Sequence, residues 1–199
     1  MTSPSEIWTL LRHAESQANA QKVWTGQIDV PLSEKGALEA ARLARQGSLP
    51  RGDFFVSSPL IRCLDSLRLF YNREPDLIVE EFMECDLGAW VGVPYENLTT
   101  DPRYLSWLEQ PDLPPPGGES LETFKKRVTR GLQKTRSAAR KGTHNELILV
   151  LHGNVMRALL CLIVDPSRAH HEWPIPNNGG YRLELQGDRA TVCQAITLT

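Results

Sequence analysis

Three short apolar runs, each cut off abruptly by polar residues, constrain this chain more than any other feature: residues 7–11, 54–56 and 147–151. Runs of this length and character read as strands buried on both faces, as in parallel sheets. Between them lie stretches with apolar residues every three or four positions. Residues 34–46 follow a candidate cap, Ser33, and end before Gly47 and Pro50. Leu60, Cys63, Leu64, Leu67 and Phe70 form a second stripe, and Ser58-Pro59 before it predicts an N-cap with proline at the first helical position. Ser120 opens a third helix, to about residue 140, with Leu121, Phe124, Val128, Leu132 and Thr135 on one face; residues 154–164 form another. A third strand is expected at 77–79, a short helix at 15–21, and a hairpin from 181–186 and 190–197 around Gly187-Asp188. Strands alternating with helices predict an α/β fold, a three-layer α/β/α arrangement with a mainly parallel sheet.

No internal repeat or linker interrupts the 199 residues, which suit one domain over 1–199. Residues 82–118 differ in character. They are rich in Gly, Pro, Trp and Tyr and close on Pro114-Pro115-Pro116-Gly117-Gly118. That is too long for a plain connection, so a small helix or two and a lid or specificity role are expected there. A net charge of −2 argues against nucleic acid held by bulk charge. No apolar run approaches the roughly 20 residues that cross a bilayer, and residues 1–6 do not read as a secretory signal. Cys63, Cys85, Cys161 and Cys193 show no paired spacing, which fits reduced cysteines in a cytoplasmic protein. Oligomeric state is not legible, a homodimer being allowed.

In a parallel sheet the carboxyl ends of strands share one edge, where ligands of open α/β sheets bind. Here those ends carry His13, then Ser57-Ser58, then His152-Gly153-Asn154. Each feeds a helix start, whose free N–H groups and positive dipole end favour an anion. Arg12 adjoins His13, and Arg62, one turn into its helix, leans back toward the same edge. Two guanidinium forks and two imidazoles suit a phosphate. A neutral imidazole nitrogen can take up a phosphoryl group, with the other cationic groups holding its oxygens. A leaving alkoxide needs a proton, and Glu81, Glu84, Asp86 and Glu15 are candidate donors that spacing does not separate.

The order of these elements resembles the histidine phosphatase superfamily, the phosphoglycerate mutase-like family. The resemblance runs through Arg12-His13-Ala14-Glu15-Ser16 with Asn19, Thr25-Gly26, residues 29–36 (DVPLSEKG) and Ser57-Ser58-Pro59 with Arg62. It continues through Glu84 with Gly88, Trp90 and Gly92, Gly117-Gly118-Glu119-Ser120, and His152-Gly153. It implies the phosphoglycerate mutase-like fold. It also implies His13 as the phosphorylated nucleophile, Arg12, Arg62 and His152 as the phosphate pocket, and Glu84 as proton donor and then general base for water. Asn19, Thr25, Gly26 and the Gly153 amide are implied substrate contacts, with no metal and no cofactor. Ala14, where the family commonly has glycine, and Val91, in place of a frequent glutamate, depart from the pattern.

Between residues 80 and 124 the only base is Arg103 among many acids, whereas a mutase handling phosphoglycerate should present several cations there. That favours a phosphatase acting on a small-molecule phosphate ester, similar to the small phosphatases of the alpha-ribazole phosphatase type. Its leaving group is expected to be uncharged or weakly basic and to stack on Trp90, Tyr95, Tyr104 or Trp107, unless those rings are plain packing. The alternatives are phosphoglycerate mutase-type transfer and a non-catalytic protein that binds a phospho-ligand. Thiol-phosphatase, Gly-x-Ser-x-Gly, Walker and Gly-x-Gly-x-x-Gly signatures are missing. His144, His170 and His171 read as surface or helix-end residues, and Lys125-Lys126-Arg127 with Arg130 as a solvated helix face.

Overall fold

A computed structural model describes residues 6–110, 113–176 and 179–198. Its strands are β1 (Glu6–Arg12), β2 (Phe54–Ser57), β3 (Leu77–Ile78), β4 (Glu146–Leu151), β5 (Gly179–Gln186) and β6 (Arg189–Thr197). The helices are α1 (Gln17–Ala20), α2 (Glu34–Gln46), α3 (Ile61–Tyr71), α4 (Tyr95–Leu98), α5 (Pro102–Glu109), α6 (Leu121–Gly142) and α7 (Gly153–Ile163). One sheet runs β3-β2-β4-β1-β5-β6. β3, β2, β4 and β1 pair in parallel, and the final hairpin adds β5 antiparallel to β1 and β6 antiparallel to β5. The mainly parallel sheet expected from the alternation is therefore present.

Strand alternation divides the core in two. Trp8 and Leu10 of β1, Phe54 and Val56 of β2, and Leu147, Leu149 and Leu151 of β4 pack with Phe124, Val128 and Leu132 of α6 and Val155 and Leu159 of α7. Leu11, Phe55, Ile148 and Val150 point the other way, onto Ala40 and Leu43 of α2 and Cys63, Leu67 and Phe70 of α3. Successive residues on opposite faces, each buried, make the three layers. Cutting Leu149, fully buried at the sheet centre, back to alanine would cost about 2–5 kcal/mol.

One boundary differs from expectation. α3 starts at Ile61, with Leu60 and not Ser58 at the cap position, and Leu60 offers no side-chain acceptor. The acceptor comes from far away in sequence: the Asp29 carboxylate takes the Ile61 amide at 2.7 Å. Ser58 Oγ, which accepts from the Leu60 amide at 3.3 Å, keeps room for another partner. The segment 82–118 does hold two small helices, α4 and α5, as its length required. Among the described residues no helix is long and apolar enough to cross a membrane.

Candidate active site at the carboxyl edge of the sheet

β1 and β4 are parallel neighbours with Arg12 level with Leu151, so the next residue of each strand, His13 and His152, emerges side by side. The His13 amide donates to the Leu151 carbonyl at 2.9 Å, and the two rings lie edge-on with centroids 5.3 Å apart. β2 ends beside β4 and delivers Ser58, and α3 returns Arg62 to the same spot. Residues 29–36 brace the loop after β1: the Ser33 amide binds the Glu15 carbonyl, and Ser33 caps α2. A Cβ on Gly36 would lie 2.1 Å from that carbonyl oxygen, so only glycine lets α2 sit there. Ala14 is accommodated at negative φ, with its amide donating to Ser66 Oγ at 2.8 Å.

The hydrogen bonds fix both imidazole tautomers. His13 Nδ1 lies 2.7 Å from the Ala14 carbonyl. A carbonyl only accepts, so Nδ1 carries the proton and Nε2 keeps its lone pair. For His152 the order is reversed. Arg62 Nε donates to Nδ1 at 3.3 Å, so Nε2 carries the proton and donates to Ser58 Oγ at 2.7 Å. Burial first, then Arg62 and Arg12, lower the His13 imidazole to about 3. Burial, followed by Arg62, His13 and Arg12, likewise holds His152 well below the usual histidine value. Both rings are neutral at physiological pH.

Arg62 is 1% exposed, and its other two nitrogens donate to the carbonyls of Ile28 and Gly26, each at 2.9 Å. Arg12 donates to the Ile175 carbonyl at 3.2 Å, while its Nε is buried without a partner. A buried guanidinium ordinarily lies against a carboxylate. Among the described residues neither Arg12 nor Arg62 forms an ion pair.

Geometry separates the four carboxylates. Glu84 Oε2 accepts from the Asn154 amide at 3.3 Å, two residues past His152, and Oε1 accepts from the Cys85 amide at 2.8 Å. Glu81 turns to α6, where it pairs with Lys134. Asp86 ties the Gly88 amide, and Glu15 accepts from Ser33. Only Glu84 is anchored beside the histidines. Of the implied contacts, Gly26 is held by Arg62 at positive φ, and Gly153 opens α7, where the first N–H groups have no intrahelical acceptor. Asn19 Oδ1 is engaged by the Ser16 amide and hydroxyl in a capping box. Thr25 turns the chain through its carbonyl, which accepts from the Ile28 amide.

The family model for the histidine phosphatase superfamily (branch 1) matches residues 8–196. The chain belongs to this superfamily. It is 32% identical over 198 residues to phosphoserine phosphatase 1 of Hydrogenobacter thermophilus, across 96% of this chain and 91% of that protein. It is also 32% identical over 165 residues to a 2,3-bisphosphoglycerate-dependent phosphoglycerate mutase of Rhizobium etli, across 75% and 76% of the two chains. Among solved structures, the alpha-ribazole phosphatase from Shigella flexneri superposes with a TM-score of 0.81 over 96% of each chain at 22% identity, a likeness of fold.

Two arginines of this histidine phosphatase escaped the sequence reading. Arg127 is not solvated. It donates to the carbonyls of Glu81 and Met83 at 2.8 Å and of Glu84 at 3.2 Å, and it grips the Glu119 carboxylate. Glu119 in turn accepts from the Asp86 amide at 2.9 Å, so the pair cages the loop that carries Glu84. Nothing local in the sequence announces this role. Arg157 did have a signal, because it sits one turn into a helix that begins at a strand end, as Arg62 does. It donates to Asn154 Oδ1 at 3.2 Å and to the Trp173 carbonyl at 3.1 Å.

Beside Glu84 opens a cavity of about 550 Å³ whose walls include Cys85 and Asn154 but none of Arg12, His13, Arg62 or His152. The aromatic residues of 82–118 divide here. Trp90 is 2% exposed and packs against Tyr104 and Trp107 at 5.1 and 5.2 Å, so it is core. Tyr104 and Trp107 then face the cavity together with Trp24. The cations missing from residues 80–124 arrive from other elements: Lys125 and Arg157 line it, together with His170 and His171. His170 is therefore a cavity residue and not a surface one, and burial, then Arg157 and Lys125, lower it to about 3. His144 stacks on Phe54, with centroids 4.7 Å apart.

Proposed function

We propose that the protein is a phosphomonoesterase that passes the phosphoryl group of a small-molecule ester to His13 and then to water, without a metal. The observation carrying this reading is the buried Arg62 and half-buried Arg12 guanidinium groups, neither in an ion pair among the described residues, around an imidazole whose Nε2 lone pair is unspent. A phosphate group entering there supplies the counter-charge that Arg62 lacks and that Arg12 finds only in Glu84, and its oxygens also meet the Gly153 amide. His13 Nε2 forms a bond to phosphorus as the ester P–O bond breaks, and Glu84 gives its proton to the departing oxygen. Water then attacks the phosphorus, the N–P bond breaks, and Glu84 takes the water proton, so inorganic phosphate leaves and both residues are restored. Arg12, Arg62 and the Gly153 amide hold the equatorial oxygens, where charge accumulates in the transition state, and His152 keeps Arg62 in place through its Nδ1.

The names of relatives divide between phosphatases and a mutase. Phosphate release from a panel of monoesters in the presence of chelator tests the proposal, with His13→Ala expected to abolish it. An acid-labile, base-stable phosphoryl adduct on His13 should be trapped by rapid quenching. Dependence on a bisphosphate primer with an isomerised product would instead assign a mutase. Full activity of His13→Ala would reject the nucleophile, and binding without turnover would leave a phospho-ligand receptor.

A further inference from the structure

The cavity beside Glu84 has an uneven wall. Trp24, Leu87, Tyr104, Trp107 and Phe124 make most of it apolar, and one corner is basic. That corner is built around Asn154 Oδ1, which accepts from Arg157 Nη1 at 3.2 Å and lies 3.4 Å from His170 Nε2. His170 Nδ1 is buried with no partner, and its ring stands edge-on to Phe124 with centroids 6.2 Å apart. Lys125, the next residue along α6, lines the same corner and forms no ion pair among the described residues. The one carboxylate among the described residues of the wall, Glu119, is committed to Arg127 and the Asp86 amide. Glu84 acts on Arg157, so the corner's free positive charge is the Lys125 ammonium, at the edge of an apolar chamber.

The geometry points to an ester whose leaving group has an apolar body of aromatic size and a carboxylate at its far end, bound by Lys125 and the free nitrogen of Arg157. This inference rests on the phosphomonoesterase reading of the adjoining site. The volume suits such a body, since small-molecule sites span roughly 300–1,000 Å³. The charge selects a carboxylate over a second phosphate. Two of the three Arg157 nitrogens donate to Asn154 and Trp173, leaving the third beside the Lys125 ammonium. That set matches a planar monoanion, whereas a phosphate dianion calls for a fuller complement such as the two guanidinium forks of Arg12 and Arg62.

The test compares phenyl phosphate with its 3- and 4-carboxymethyl and 4-aminomethyl derivatives, using the intact protein and the variants Lys125→Met and Lys125→Gln. A charge-assisted contact of this kind predicts that at least one carboxylated ester exceeds phenyl phosphate in kcat/KM by about tenfold to a hundredfold, through KM. The aminomethyl ester should fall below phenyl phosphate. Both Lys125 variants should lose most of the preference while hydrolysing phenyl phosphate at the original rate. Hydrolysis of phenyl phosphate with no carboxylated ester ahead of it overturns the subsite and leaves the phosphatase reading standing. Phosphate release from none of these esters sinks the phosphatase reading instead. Calorimetric binding of 3- and 4-hydroxyphenylacetate against phenol to His13→Ala then decides the subsite separately, with equal affinities counting against it.

Discussion

Replacing Arg127 by methionine should uncouple Glu84 from the phosphate pocket while leaving that pocket intact. The guanidinium reaches three backbone carbonyls, at residues 81, 83 and 84, and the Glu119 carboxylate, and both charged side chains are largely buried, at 15% and 12% exposure. Removing one partner of a buried pair costs about 3–5 kcal/mol. Partial exposure and relaxation of the loop toward water favour the low end, about 3 kcal/mol. For catalysis the effect is positional. A displacement near 1 Å of a group that must meet the departing oxygen costs on the order of a hundredfold. That loss applies only where a proton must be delivered. An alkyl phosphate, whose leaving oxygen is strongly basic, should slow by about a hundredfold, and 4-nitrophenyl phosphate, which leaves as an anion, by less than about fivefold. Steady-state rates of both esters, measured well below the unfolding transition, provide the comparison. Arg130→Met, an exposed change on the same helix, serves as the control. Equal slowing of the two esters would refute the positioning argument and leave Arg127 a merely structural residue.

Three further outcomes follow from the same geometry. Ser58→Ala removes the acceptor of the His152 Nε2 proton at a site with no exposure, so kcat/KM should fall about tenfold with a stability loss of about 1–3 kcal/mol, both read from kinetics and urea unfolding. Gly118→Ala would place a Cβ 2.5 Å from the Asp86 carbonyl oxygen and 3.0 Å from the Gly88 amide. It should cost about 1–3 kcal/mol and disturb the same Glu84 loop, and an unchanged melting temperature would contradict the close packing. His13 and His170 are each held near 3 by burial, below the unfolded value of 6.5, so the unfolded chain binds more protons between those values. Stability contributed by keeping these rings neutral is therefore present above pH 6.5 and lost as pH falls toward 3, by up to about 1.4 kcal/mol per pH unit for each. Urea midpoints at pH 7 and pH 4.5 measure it, and a His13→Asn variant with the same slope as the original would show that His13 takes no part.

The chain's own pattern settled the layers and the edge. Apolar runs too short for helices, set between stripes with helical spacing, can bury their side chains only in a covered parallel sheet, and such a sheet brings Arg12, His13, Ser58 and His152 to one edge whatever the loops do. Tertiary structure decided everything that depends on residues meeting across long separations. Asp29 capped α3 while Ser58 met His152, Arg127 closed around carbonyls more than forty positions earlier, and Glu84 stood apart from Glu81 only when α6 claimed the latter through Lys134. The charge of the leaving-group chamber was hidden for the same reason. Its cations, Lys125 and Arg157, come from α6 and α7, so no window along residues 80–124 could display them. Periodicity is a local property written into neighbouring residues, whereas the partner of a buried polar group is chosen by whatever packing brings within about 3 Å.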